Sequence, residues 1–87
     1  MRNKVIVYEL VDTNEEIILT GTIEDIRTFI KNTWKTNKDF IIDITGVKVE
    51  EDFYAHVDDT KNLFQVISYM GYQATSVCEV PIEDFMN

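Results

Sequence analysis

Ile23, Ile26, Ile30 and Trp34, with Phe29 adjoining, recur at helical spacing directly after a Thr20-Gly21-Thr22 break. Thr22 has the chemistry of an N-cap, and Asp25 stands three residues on, where a capping box usually carries Glu or Gln. Glu24 and Asp25 fall in the first turn and Lys31 and Lys35 near the end, which suits the helix macrodipole. This pattern predicts a helix from Ile23 to about Lys35 with one apolar face. Trp34 shares that face and is expected in the core rather than as an anchor for a partner. A helix with one apolar stripe must bury it against other elements, so the rest of the chain has to supply a covering layer.

Before the helix, Lys4–Val11 and Glu15–Thr20 are rich in β-branched residues, and Asp12-Thr13-Asn14 carries turn chemistry between them. A β-hairpin is expected. After the helix, Asn37-Lys38-Asp39 ends it, and Phe40–Ile44 is expected as a strand with Asp43 at an exposed face or edge. Thr45-Gly46 signals a turn. Val47, Val49, Phe53, Ala55 and Val57 then alternate, interrupted at Glu51, which predicts an extended strand Val47–Val57 with a bulge or turn at Glu50–Asp52. Val49, Phe53 and Val57 also stand at i, i+4 and i+8, so a helical reading of the same segment coexists.

Asp58-Asp59-Thr60 marks a second helix start, followed by an apolar face of Leu63, Phe64, Val66, Ile67 and Met70 and by Gly71 as the C′ residue. Tyr72–Val80 is expected as a last strand, stopped by Pro81, and the tail Ile82–Asn87 is expected to dock or fray. The fold class expected is α+β: two helices on an antiparallel sheet of four to five strands, ferredoxin-like (βαββαβ), with an extra N-terminal strand. One conflict accompanies it. The first strand of the six-element unit is central with both edges taken, and a tight N-terminal hairpin competes for one of them.

The 87 residues suit a single domain, residues 1–87. No apolar run approaches the ~18 residues that cross a bilayer, and the N-terminus lacks a signal-peptide pattern. The single cysteine, Cys78, forbids an internal disulfide and a cysteine-based zinc site. A bacterial cytoplasmic location, with no membrane partner, is the expectation. Sixteen acidic against eight basic residues give a net charge of −8. Such a field repels phosphate backbones and attracts basic surfaces, which argues against direct nucleic-acid binding. The same charge also serves solubility.

Tyr8-Glu9-Leu10, Asp12, Ile17-Ile18-Leu19-Thr20-Gly21-Thr22, Ile26 and Phe29 resemble the opening of small, mostly uncharacterised phage and prophage proteins of Gram-positive bacteria. Those begin with a Y-x-x-x-D strand and an I-x-x-T-G-T strand leading into a short helix. The resemblance covers about the first third of the chain and consists chiefly of strand, turn and cap residues. Such relatives often continue with a basic helix-turn-helix-like segment, whereas this chain turns acidic after Trp34. By size and charge alone the chain is also similar to acidic phage inhibitors, including anti-CRISPR proteins and other DNA mimics, which place carboxylates where phosphates would sit.

The densest cluster of chemistry is EEDFYAHVDD, Glu50 to Asp59. Contiguous carboxylates are better explained by capping and solvated faces than by a split-pKa acid/base pair. His56 lacks the partners and spacing of a zinc site, no EF-hand pattern is present, and on a strand it would face solvent. Cys78 sits beside Glu79, whose charge opposes a thiolate, and is expected as a small buried hydrophobe. The glycines do not cluster into a phosphate-binding loop. No enzyme activity, cofactor or metal is expected.

The functional expectation is a non-enzymatic phage or mobile-element protein that binds and inhibits a host defence or nucleic-acid-handling protein. It would meet a basic host surface through Glu50, Glu51, Asp52, Phe53, Tyr54, Asp58 and Asp59. Glu50, Glu51 and Asp52 carry most weight, because they interrupt an otherwise regular apolar alternation. The alternative is a small homo-oligomeric regulatory or ligand-binding α+β module, a homodimer joined through sheet edges or a sheet face. Tyr54, Tyr69, Tyr72 and Phe85 exceed what two helices on one sheet face require, and an uncovered sheet face that displays Tyr54 or Tyr72 becomes an interface for a partner or a twin.

Overall fold

The computed structural model describes residues 4–81. The elements are β1 (Lys4–Val11), β2 (Ile17–Gly21), α1 (Ile23–Thr36), α2 (Lys38–Thr45), α3 (Glu50–Asp58), α4 (Thr60–Tyr69) and β3 (Gln73–Pro81). The sheet is antiparallel and three-stranded in the order β2-β1-β3. The architecture is therefore α+β, but among the described residues it has three strands and four helices rather than four to five strands and two helices.

The hairpin forms as its composition requires. Asp12 Oδ1 accepts from the backbone N–H of Asn14 (2.8 Å) and of Glu16 (3.0 Å), and Glu15 takes φ 64° to close the turn. Helix α1 also forms as expected. Thr22 and Asp25 complete the capping box, with Thr22 N–H donating to Asp25 Oδ2 (2.9 Å) and Asp25 N–H to Thr22 Oγ1 (3.2 Å). Ile26 and Ile30 are fully buried, as is nearly all of Trp34.

Two expected strands are helices instead. Phe40–Ile44 lies within α2 and most of Val47–Val57 within α3. The hairpin prevails in the competition noted above: β2 pairs with Lys4–Val11, which takes β3 on its other side and becomes the central strand, so Glu15–Thr20 is an edge strand and not the centre of a ferredoxin-like sheet. As helices, the two segments bury Ile41, Phe53 and Val57 completely against their neighbours. A short apolar run such as Phe40–Ile44 fits a strand and a buried helix equally well by period alone. The ferredoxin-like arrangement with an extra N-terminal strand is accordingly replaced by ββααααβ.

Helix α1 approaches β1 and β2, α4 approaches β3, and α2 and α3 contact only other helices. One core joins the layers, from Leu10 on β1 through Ile26 and Ile30 on α1 to Phe53, Val57, Leu63, Val66 and Ile67. Each such side chain contributes about 1.5–3 kcal/mol on full burial. The helical connections are tight. Asn37 alone separates α1 from α2, and Asp59 alone separates α3 from α4. Helix α4 starts at that Asp59 cap, whose Oδ1 accepts from Asn62 N–H (3.1 Å), and the chain turns into β3 through Gly71 at φ 82°.

The sheet is uneven in width. β2 pairs only with Tyr8–Val11, so Lys4–Val7 and the end of β3 run on as a two-stranded ribbon. Val77 is the extra residue of a bulge, between the pairs Tyr8–Ser76 and Val7–Cys78. On this ribbon Cys78 is exposed, not buried as its residue type suggested. The expected docking or fraying of Ile82–Asn87, and with it Phe85, lies outside the described residues.

Candidate partner-binding surface

Helix α3 divides the seven candidate residues into groups with different surroundings. Glu50, Glu51 and Asp52 occupy its first turn and are exposed. Val49 at the N-cap makes no side-chain cap hydrogen bond, so these carboxylates are the charges that complement the positive end of the helix. The interruption of the apolar alternation thus has a structural cause: it is an acidic helix start. Among the described residues, ion pairs reach Glu24, Asp58 and Glu79, and none reaches Glu50, Glu51 or Asp52.

Phe53 is fully buried and stacks on Trp34, ring centroids 5.4 Å apart and planes at 25°. It is a core residue that no partner can touch in the folded state. Tyr54 is partly buried beside it, with Lys31 Nζ 5.7 Å from its ring centroid. The same Lys31 pairs with Asp58 at 2.6 Å, and Asp59 is committed to capping α4. The two ends of α3 stand about 13 Å apart at 1.5 Å per residue. The set is therefore an open acidic end and a neutralised, structurally engaged end, not one row of carboxylates.

His56 lies on the last turn of α3, partly buried rather than on the open face of a strand. Tyr72 is partly buried against the core, and Tyr69 is exposed at the end of α4. Neither they nor Tyr54 sit on the sheet face turned away from the helices as an aromatic platform. Among the described residues, no three His, Cys, Asp or Glu side chains come together in a way that could hold a metal. A shallow, open depression of about 260 Å³ lies on the ribbon, lined by Ile6, Ser76, Val77, Cys78 and Glu79. It brings no base to the thiol of Cys78.

Arg27 is the polar residue that the sequence reading passed over. Its side chain is buried on α1, where Nε donates to the Val57 carbonyl (2.9 Å), Nη2 donates to Thr60 Oγ1 (2.9 Å), and Nη1 pairs with Glu24. A signal for it existed: Arg27 stands four residues after Ile23 and three before Ile30, a lone cation inside the apolar stripe. A charge at such a position needs specific acceptors, and the end of α3 provides them. Arg27 and Lys31 together brace the segment that carries the candidate surface.

Comparison with protein-family models, with curated proteins and with solved structures gave no match to this chain.

Proposed function

We propose that the protein is a non-enzymatic binding module that sets the open acidic end of α3 against a basic surface of a partner protein. The observation that carries this reading is the run Glu50-Glu51-Asp52, exposed and without an ion pair among the described residues, on a chain of net charge −8. Three successive helical positions, 100° apart, fan their carboxylates over about 200°. They make an acidic knob suited to an Arg- or Lys-lined recess. The N-terminal resemblance to phage and prophage proteins supports a host defence or nucleic-acid-handling protein as the partner, inhibited by occupation of its basic groove.

Affinity capture from bacterial lysate at low and high salt tests the proposal. The captured partner should fall away steeply as salt rises. A variant carrying Glu50→Lys, Glu51→Lys and Asp52→Lys should lose it while keeping a helical circular-dichroism spectrum. Undiminished capture by that variant would remove the proposal. One observation favours the homo-oligomer alternative: the outer edge of β3 is unpaired among the described residues. Sedimentation showing a stable dimer of the isolated chain would select it.

A further inference from the structure

We propose that the sheet face turned away from the helices docks a cationic amphipathic helix of a partner protein, with Glu9 accepting from a Lys or Arg at its centre. This surface is distinct from the acidic end of α3, and the inference does not rest on that one.

The alternation of β1 defines the face. Leu10 is fully buried in the core and Tyr8 meets Phe64, ring centroids 6.2 Å apart, so Val5, Val7, Glu9 and Val11 point the other way. Cross-strand pairing adds Val80 beside Val5, Cys78 beside Val7, and Thr20 and Thr75 on either side of Glu9. Val5, Val7, Val11 and Val80 are all partly buried, yet none packs against the core, and Ile17, paired with Val11, is exposed. An antiparallel sheet with one wet face alternates apolar and polar residues, whereas KVIVYELV is apolar on both faces, the pattern of a strand covered on each side. Among the described residues, the helices supply only one cover.

Charge decides what the second cover is. Glu9 sits in the middle of the valines with its carboxylate open to solvent, and among the described residues no cation or side-chain hydrogen bond reaches it. The described residues of a second copy would not bring one: Lys4 lies on the helix side of β1 by the same alternation, Arg27 is buried on α1, and Lys31, Lys35, Lys38, Lys48 and Lys61 belong to the helices and their connections. Two copies face to face would press two Glu9-bearing faces of net-negative chains together. A partner helix with a cation inside its apolar stripe satisfies both the valines and the carboxylate. The dimensions suit it: the sheet is about 14 Å wide across three strands at Glu9 and Val11 and about 10 Å wide across the ribbon at Val5 and Val7, against one helix of about 10 Å diameter.

The test titrates the full chain with a synthetic 18-residue helical peptide bearing Leu and Ile on one face and one Arg at the centre of that face. A twin peptide has Glu in place of the Arg. Amide shifts should move on the β1 back face for the Arg peptide and not for its twin. Glu9→Gln should weaken binding about tenfold or more, and Val7→Lys should abolish it with the circular-dichroism spectrum unchanged. Three results would each overturn the proposal. The two peptides could bind alike, or Glu9→Gln could bind as tightly as the parent. Alternatively, the face could already be covered, shown by a dimer that Val7→Lys dissociates or by tighter peptide binding after removal of residues 82–87.

Discussion

Arg27 Nε donates to the carbonyl oxygen of Val57 across 2.9 Å, joining α1 to the last turn of α3 over thirty residues of chain. The Val57 carbonyl belongs to the end of a helix, where carbonyls lack intrahelical partners and the macrodipole is negative. A buried guanidinium there satisfies the acceptor and neutralises the dipole together. One turn further along α1, Lys31 repeats the arrangement at the surface through Asp58. Removing Arg27 leaves the carbonyl and the Thr60 hydroxyl without their donor. Arg27→Ala should therefore cost about 2–3 kcal/mol in urea unfolding, and Arg27→Lys should recover only part, because an ammonium cannot reproduce the planar fork. Equal stability of the Lys variant and the parent would show that charge alone is at work.

Phe53→Ala should cost about 3–5 kcal/mol, since it empties a fully buried site stacked on Trp34. Any loss of partner binding in that variant should track the unfolded fraction and disappear when binding is measured under stabilising conditions. A binding defect in fully folded Phe53→Leu would instead return Phe53 to the interface.

Val49 caps α3 without a hydrogen-bonding side chain and is half exposed. Val49→Ser or Val49→Asp should stabilise the protein by about 0.5–1 kcal/mol, read as a shifted urea midpoint at unchanged slope. Neutralising Glu50, Glu51 and Asp52 together should have the opposite sign, a loss of a few tenths to about 1 kcal/mol per charge that shrinks as salt is added.

Gly71→Ala should destabilise by about 1–2 kcal/mol. Gly71 holds φ 82°, and a Cβ there would stand 2.8 Å from Thr13 Cγ2, so the methyl meets both an unfavourable dihedral and a neighbour. The double variant Gly71→Ala with Thr13→Ser should recover the contact part of the loss but not the backbone part.

Wherever a segment carried its own punctuation, its structure was legible in the residues. Thr22 with Asp25, Asp12 in its turn, Asp59 before Thr60, and Gly71 after α4 all stand where their side-chain chemistry predicts. The middle of the chain was not legible in that way. Phe40–Ile44 has no capping side chain before it, since Asn37 makes no cap hydrogen bond, and Val49 offers none to α3. The signals that remain, Gly46 at φ 74° closing α2 and the acidic first turn of α3, fit a turn or a bulge between strands as well as a helix end, so the outcome rested on tertiary packing that periodicity does not report. The change of element also changed the candidate site. On a strand Phe53 and Glu51 would share one face, whereas on α3 Phe53 is sealed and Glu51 is open.

The position of β1 between β2 and β3 sets an order of assembly. Its pairing with β2 closes a short turn, whereas its pairing with β3 must wait until the intervening helices have drawn the chain back, at the entropic cost of a long loop. During that wait, the β1 edge destined for β3 is an unpaired row of backbone groups on an apolar strand. Refolding should therefore lose yield as protein concentration rises, because another molecule's β1 competes with β3 for the same edge.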